Sequence, residues 1–138
     1  MSHFLEPLLR TGESFGLLIA RSQTWLAMRL EPAFDSKSRK QGLLGREALA
    51  EGSAIVIAPS QAVHTVGMRF PIDIIAVSRE GRVVRVREGV GAWRVMVAWS
   101  AFAMIELRAG TCARAGIQVG DRLVVSPRPR NSASWQRA

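Results

Sequence analysis

Ala62-Val63-His64-Thr65-Val66-Gly67-Met68-Arg69-Phe70-Pro71-Ile72-Asp73-Ile74-Ile75-Ala76-Val77 is the part of this chain around which the rest can be arranged. Its second half, Ile72 to Val77, is apolar at both parities except at Asp73, the pattern of a strand covered on both faces. Its first half, Ala62 to Met68, alternates well enough to be one strand, with His64, Val66 and Met68 on one side and Val63, Thr65 and Gly67 on the other. Pro71 separates the two halves, because it has no N–H to give to a ladder. Asp73 has no polar neighbour within the run, so it needs partners from elsewhere or it costs several kcal/mol. His64 is the only histidine outside the N-terminal tail, and Met68 stands four residues beyond it.

The flanking segments read as more short strands joined by glycine-bearing turns. Ser78-Arg79-Glu80-Gly81 is a hairpin turn by its length and its glycine. It leads into Arg82 to Val90, where Val84 and Val86 alternate with Arg85 and Arg87, a strand with one wet face. Val95 to Ser100 is open between strand and loop. Ala101 to Arg108 is a strand with Glu106 in an apolar setting. Thr111 to Ala115 is a single helical turn stopped by Gly116, and Arg122 to Ser126 is the last strand.

Upstream, Leu17 to Ile19 is a short strand and Gln23 to Leu30 a longer one. Asp35 or Ser36 caps a short helix over residues 36–41 that Gly42 ends. Glu47 to Ala50 adds another turn, and Ser53 to Ala58 is a short buried strand ending at Pro59. Many short strands with little helix favour a mainly β fold, a compact β-sandwich or a partly closed barrel. The expected division is an N-terminal extension over residues 1–23, one β domain over 24–126 and a flexible tail over 127–138.

The 138 residues are enough for one domain with a proper core. The formal charge is +8, with 17 Arg and 2 Lys scattered along the chain against 11 acids. Such a balance permits an anionic partner, but solubility alone is reason enough for it. The single cysteine, Cys112, rules out an intrachain disulfide framework and makes a cysteine-based zinc site implausible. No run of about 18 apolar residues is present, so no membrane insertion is expected. The N-terminal residues lack the pattern of a signal peptide, and the expected location is cytoplasmic.

Several motifs stand in a fixed order: Arg39-x-x-Gly42-Leu43-Leu44-x-Arg46, then His64-Thr65-Val66-Gly67-Met68-Arg69-Phe70-Pro71-Ile72-Asp73, Gly81-Arg82-Val83-Val84 and Trp93-Arg94. Ile105-Glu106-Leu107-x-Ala109-Gly110 and Gly116-Ile117-x-x-Gly120-Asp121 follow. Together they resemble the domain of unknown function 192 family over roughly Trp25 to Ser126. Ser53-Ala54, Ala76 and Arg108 depart from its usual pattern. The resemblance implies a mainly β sandwich of jelly-roll type and supplies no reaction.

The candidate site is Arg46, His64, Asp73, Arg94 and Glu106, with Met68 beside it. In one reading these groups line a concave pocket for a small polar ligand, with His64 as acid/base or ligand contact. In the other, Asp73 and Glu106 each form a structural ion pair with Arg46, Arg69 or Arg94, and His64 is a satisfied core or rim histidine. Neither a catalytic residue nor a metal site nor a cofactor is assigned: the core has no second histidine, no H-x-x-x-H, no nucleophile elbow and no phosphate loop. The arginines of the 79–87 hairpin have no interleaved aromatic residues, so nucleic acid is not expected. The function expected is a binding module with a polar pocket. The alternatives are a protein-interaction domain without chemistry, which an exposed apolar patch around Trp93 to Trp99 would favour, and a metal-dependent or hydrolase-like enzyme.

Overall fold

The computed structural model describes residues 2–9 and 14–129. After a 3-10 turn, Glu6–Leu9, the chain forms β1 (Phe15–Ile19), β2 (Thr24–Ala27), β3 (Arg29–Ala33), α1 (Ser36–Gln41), β4 (Ser53–Ile57), β5 (Ala62–His64) and β6 (Ile72–Val77). Then come β7 (Val83–Val90), β8 (Val95–Val97), β9 (Ala103–Arg108), α2 (Thr111–Ala115) and β10 (Leu123–Pro127). The fold is mainly β, as the short alternating segments predict. Among the described residues the strands form three sheets and no closed barrel: β3-β4-β9-β6-β7, β10-β1-β2, and the ribbon β5-β8.

The five-stranded sheet is the middle layer, and strand parity sorts its side chains between two cores. Ala54, Val56, Ile75, Val77, Ile105 and Leu107 face the three-stranded sheet, where they meet Leu17, Ile19, Leu26, Leu123 and Val125. Ile55, Ile57, Ile72, Ile74 and Met104 face the other way, onto Leu43, Leu49, Met68 and Met96. All six residues of β6 are buried, the outcome expected for a strand apolar on both faces.

Local signals place the helices well. Asp35 caps α1 by accepting from the Ser38 N–H at 2.8 Å, and Gly42 ends it at φ +46°. α2 covers Thr111–Ala115 and stops at Gly116.

Five expectations are corrected. The segment read as an extension over residues 1–23 supplies β1, the middle strand of its sheet, and Leu5, which is fully buried in the first core. The short strand expected at Leu17 to Ile19 is present and begins at Phe15, but it belongs to the folded domain and not to an extension. Gln23 to Leu30 is not one strand: the chain leaves the three-stranded sheet at Met28, and β3 pairs in parallel with β4 in the five-stranded sheet. Glu47 to Ala50 form no helical turn. The Ala62 to Met68 strand ends at His64, because Gly67 at φ +79° and a Met68 N–H to Thr65 C=O bond of 3.1 Å turn the chain. Met68 is thereby buried while His64 is exposed. Of the expected 127–138 tail, Pro127 belongs to β10 and the Arg128 guanidinium donates to the Met28 carbonyl at 3.1 Å. Residues 130–138 lie outside the described residues.

Candidate functional site

Glu106 is the residue around which a site can be built. β9 sits between β4 and β6, and the register sets Glu106 opposite Ile55 on one side and Ile74 on the other. Its side chain therefore enters the second core, where only 5% of the residue remains exposed. Oε2 is buried and has no hydrogen-bond partner. Burial pushes the carboxyl up from 4.5 to about 7, and the nearby Arg46 charge opposes this only in part. Near neutrality the group can therefore donate a proton in one state and accept one in the other.

Glu106 borders a cleft of about 310 Å³ between α1, the end of β4 and β5. Leu43, Ile57, Val63 and Met68 supply apolar wall, and Arg39, Lys40 and His64 supply polar or charged lining. Gly42 lies beside the carboxyl. A Cβ there would stand 3.9 Å from both Glu106 oxygens, an ordinary van der Waals separation. In sequence Gly42 reads as a helix stop, and its place beside Glu106 follows only from where β9 passes. The Arg39 guanidinium is committed to the Phe34 carbonyl at 2.6 Å, which ties α1 to the preceding loop. The Lys40 side chain makes no hydrogen bond or ion pair among the described residues. His64 Nδ1 accepts from the Val66 N–H at 3.3 Å, so Nε2 is the ring atom left to meet a ligand.

The other expected members of the site lie elsewhere. Asp73 is on the far face of the same sheet: it pairs with Leu107, whereas Glu106 pairs with Ile74, and neighbours in a strand point to opposite faces. Its partners are backbone N–H groups and not an arginine. Oδ1 accepts from Gly89 at 2.9 Å, and Oδ2 accepts from Gly110 at 3.0 Å and Cys112 at 2.9 Å. Gly89 lies where β7 carries an extra residue against β6, and such a bulge leaves an N–H without a ladder partner. Asp73 thus clamps the β7 bulge to the start of α2.

Arg46 forms a two-pronged pair with Glu31, Nη1 to Oε2 at 2.9 Å and Nη2 to Oε1. This pairing holds Glu31 below the usual carboxylate range. Arg94 is exposed, and its side chain reaches only the Trp93 carbonyl, at 3.5 Å. Arg69 approaches Glu47 at 3.5 Å. The structure thus brings His64, Met68 and Glu106 to one cleft, keeps Arg46 within electrostatic reach of Glu106, and sets Asp73 and Arg94 apart. Among the described residues no three His, Cys, Asp or Glu side chains gather as a metal-binding group would.

A third buried acid escaped the sequence reading. Asp121 accepts from Arg21 Nε at 2.7 Å and Nη2 at 3.0 Å, and from the Gln118 N–H at 2.8 Å. Its position in a polar turn gave no sign of burial, which depends on Arg21 arriving from the β1–β2 turn.

Comparison with known proteins agrees with this architecture. The sequence matches the family called DUF192, described as an uncharacterized ACR, over residues 18–125. The chain belongs to DUF192. No protein of curated function matches it. Two solved structures share the DUF192 chain's fold. One is a protein of unknown function from Novosphingobium aromaticivorans, 22% identical, with a TM-score of 0.69 over 80% of this chain and 82% of that one. The other is a candidate transcription regulator from Sinorhizobium meliloti, also 22% identical with a TM-score of 0.69, over 82% of this chain and 92% of that one.

Proposed function

We propose that this DUF192 protein is a binding module whose cleft takes a small polar ligand, hydrogen-bonded by Glu106 and met at the rim by His64. The observation that carries this reading is the buried Glu106 Oε2 without a partner at a solvent-accessible cleft. An unsatisfied buried oxygen is costly, and a ligand that supplies the missing hydrogen bond recovers that cost on binding. The volume of about 310 Å³ is at the small end of the roughly 300–1,000 Å³ of ligand pockets. The lining holds Arg39 and Lys40 with no acid besides Glu106, a field that favours a neutral or anionic ligand over a cation. His64 would contact the ligand through Nε2, as donor or as acid/base.

A screen of small carboxylic acids, amides and polyols by amide chemical-shift mapping tests this. A ligand of the cleft shifts Gly42, His64 and Glu106 together, and Glu106→Ala abolishes the shifts while the rest of the spectrum is retained. If every compound that binds shifts resonances elsewhere, or if binding survives in Glu106→Ala, the reading fails. A role exerted through a surface and not a pocket finds its support in the β5–β8 ribbon, where Trp93, Val95 and Trp99 are exposed.

A further inference from the structure

The β5–β8 ribbon has one face in the core and one in solvent. Val63 and Met96, which pair across it, face inward onto the second core. Trp93 just before β8, Val95 on it and Trp99 just beyond it are 71%, 62% and 79% exposed. Two indoles and a valine laid open along one short segment form an apolar strip of the kind that soluble domains usually cover.

The strip is held in place with some care. Trp93 adopts φ +63°, a left-handed conformation that is strained for a bulky aromatic residue. The buried Thr65 keeps it there. Its hydroxyl donates to the Gly91 carbonyl at 2.6 Å and accepts from the Arg94 N–H at 2.9 Å, and its carbonyl accepts from the Trp93 N–H at 3.2 Å. The backbone strain thus falls at the residue that presents an indole to water.

Cations surround the strip. The Arg85 and Arg87 guanidiniums, from β7, donate to the Val97 carbonyl at 2.8 Å and the Val95 carbonyl at 3.5 Å, so both lie along the outer edge of β8. Arg94 adjoins Trp93. Among the described residues none of these three forms an ion pair, and Glu88 is the one acid on β7.

We propose that this ribbon is a peripheral docking face for an anionic bilayer surface, with Trp93 and Trp99 at headgroup level and Arg85, Arg87 and Arg94 meeting lipid phosphates. Indole is the side chain most at home at the membrane–water boundary, where one part is apolar and one wet. Unpaired arginines beside it supply the complementary charge. Single-stranded nucleic acid fits less well. The two indoles stand six residues apart with β8 between them, whereas a stacking platform takes successive bases. The valine between them offers a base no hydrogen bond. The docking is adsorption and not insertion, and no described helix is long and apolar enough to cross a membrane.

Co-sedimentation of the full chain with phosphatidylcholine vesicles, with and without phosphatidylserine, tests the proposal. Binding is expected only to the phosphatidylserine vesicles and is expected to weaken steeply with added salt. Replacing Arg85, Arg87 or Arg94 by Gln should each weaken it about fivefold. Trp93→Gly and Trp99→Ala should each reduce binding without loss of folding, and Trp93→Gly should raise the melting temperature by relieving the backbone. No binding, equal binding to neutral vesicles, or binding unchanged in the two Trp variants overturns the proposal. So does binding to oligo(dT), or self-association through the ribbon, in the absence of vesicle binding.

Discussion

Protonation of Glu106 makes a quantitative prediction about stability. An acid whose folded pKa lies above its unfolded one stabilises the fold most when protonated. Its contribution is complete below the unfolded value and is lost as pH rises through the folded value. Here the window runs from 4.5 to about 7. At roughly 1.4 kcal/mol per pH unit, the fold should be about 3 kcal/mol less stable above that window than below it, through this one group. Glutamine has the same shape and cannot ionise, so Glu106→Gln should remove the dependence. Urea unfolding of both proteins between roughly pH 4 and pH 8.5 measures it. At the acid end the two should be nearly equal. At the alkaline end the variant should be the more stable, by up to about 3 kcal/mol. A wild type that is the more stable of the two at alkaline pH, or a variant with the same pH slope through this window, would refute the assignment of a high-pKa, partnerless carboxyl to position 106.

Asp73→Ala should cost about 3–5 kcal/mol in chemical unfolding, because it leaves the Gly89, Gly110 and Cys112 N–H groups without their acceptor. A loss below about 1 kcal/mol would show that the clamp carries little. Gly81→Ala should destabilise by about 2 kcal/mol or more, since its Cβ would stand 2.6 Å from the Leu123 carbonyl at φ +94°. Gly45→Ala, at φ +83° with nothing within 4 Å, should cost only about 1 kcal/mol, and equal losses in thermal melts would dismiss the contact argument. Burial and the neighbouring Asp73 carboxylate push the Cys112 thiol far up. A thiol reagent at mildly alkaline pH should therefore label it slowly in the folded protein and rapidly in denaturant. Rapid labelling of the folded protein would contradict its burial.

Much of this fold was legible because its signals are local. Asp35 and Gly42 bracket α1 by capping chemistry that needs only a few neighbouring residues. The unbroken apolar run Ile72 to Val77 announces a strand covered twice, and it is one. That Asp73 and Glu106 are buried acids also followed from their apolar surroundings. Where strands switch sheets was not legible. Nothing near Met28 marks the passage from β2 to β3, since both segments look like strand and only pairing with β4 separates them. The Thr65 anchor that turns the chain after His64 was hidden for the same reason, because its partners lie at Gly91 and Arg94.

The candidate site divides along the same line. The sequence by itself determined which side chains are costly to bury, because polarity in an apolar run is a property of the run. What satisfies each of them was decided by the tertiary structure. Register places Asp73 opposite Leu107 and Glu106 opposite Ile74, so a one-residue difference in parity sends the two acids to opposite faces of one sheet. One acid then meets a bulge and the start of a helix, whose backbone N–H groups complete it. The other meets a glycine and a cleft, and is left with an oxygen that nothing in the described protein fills.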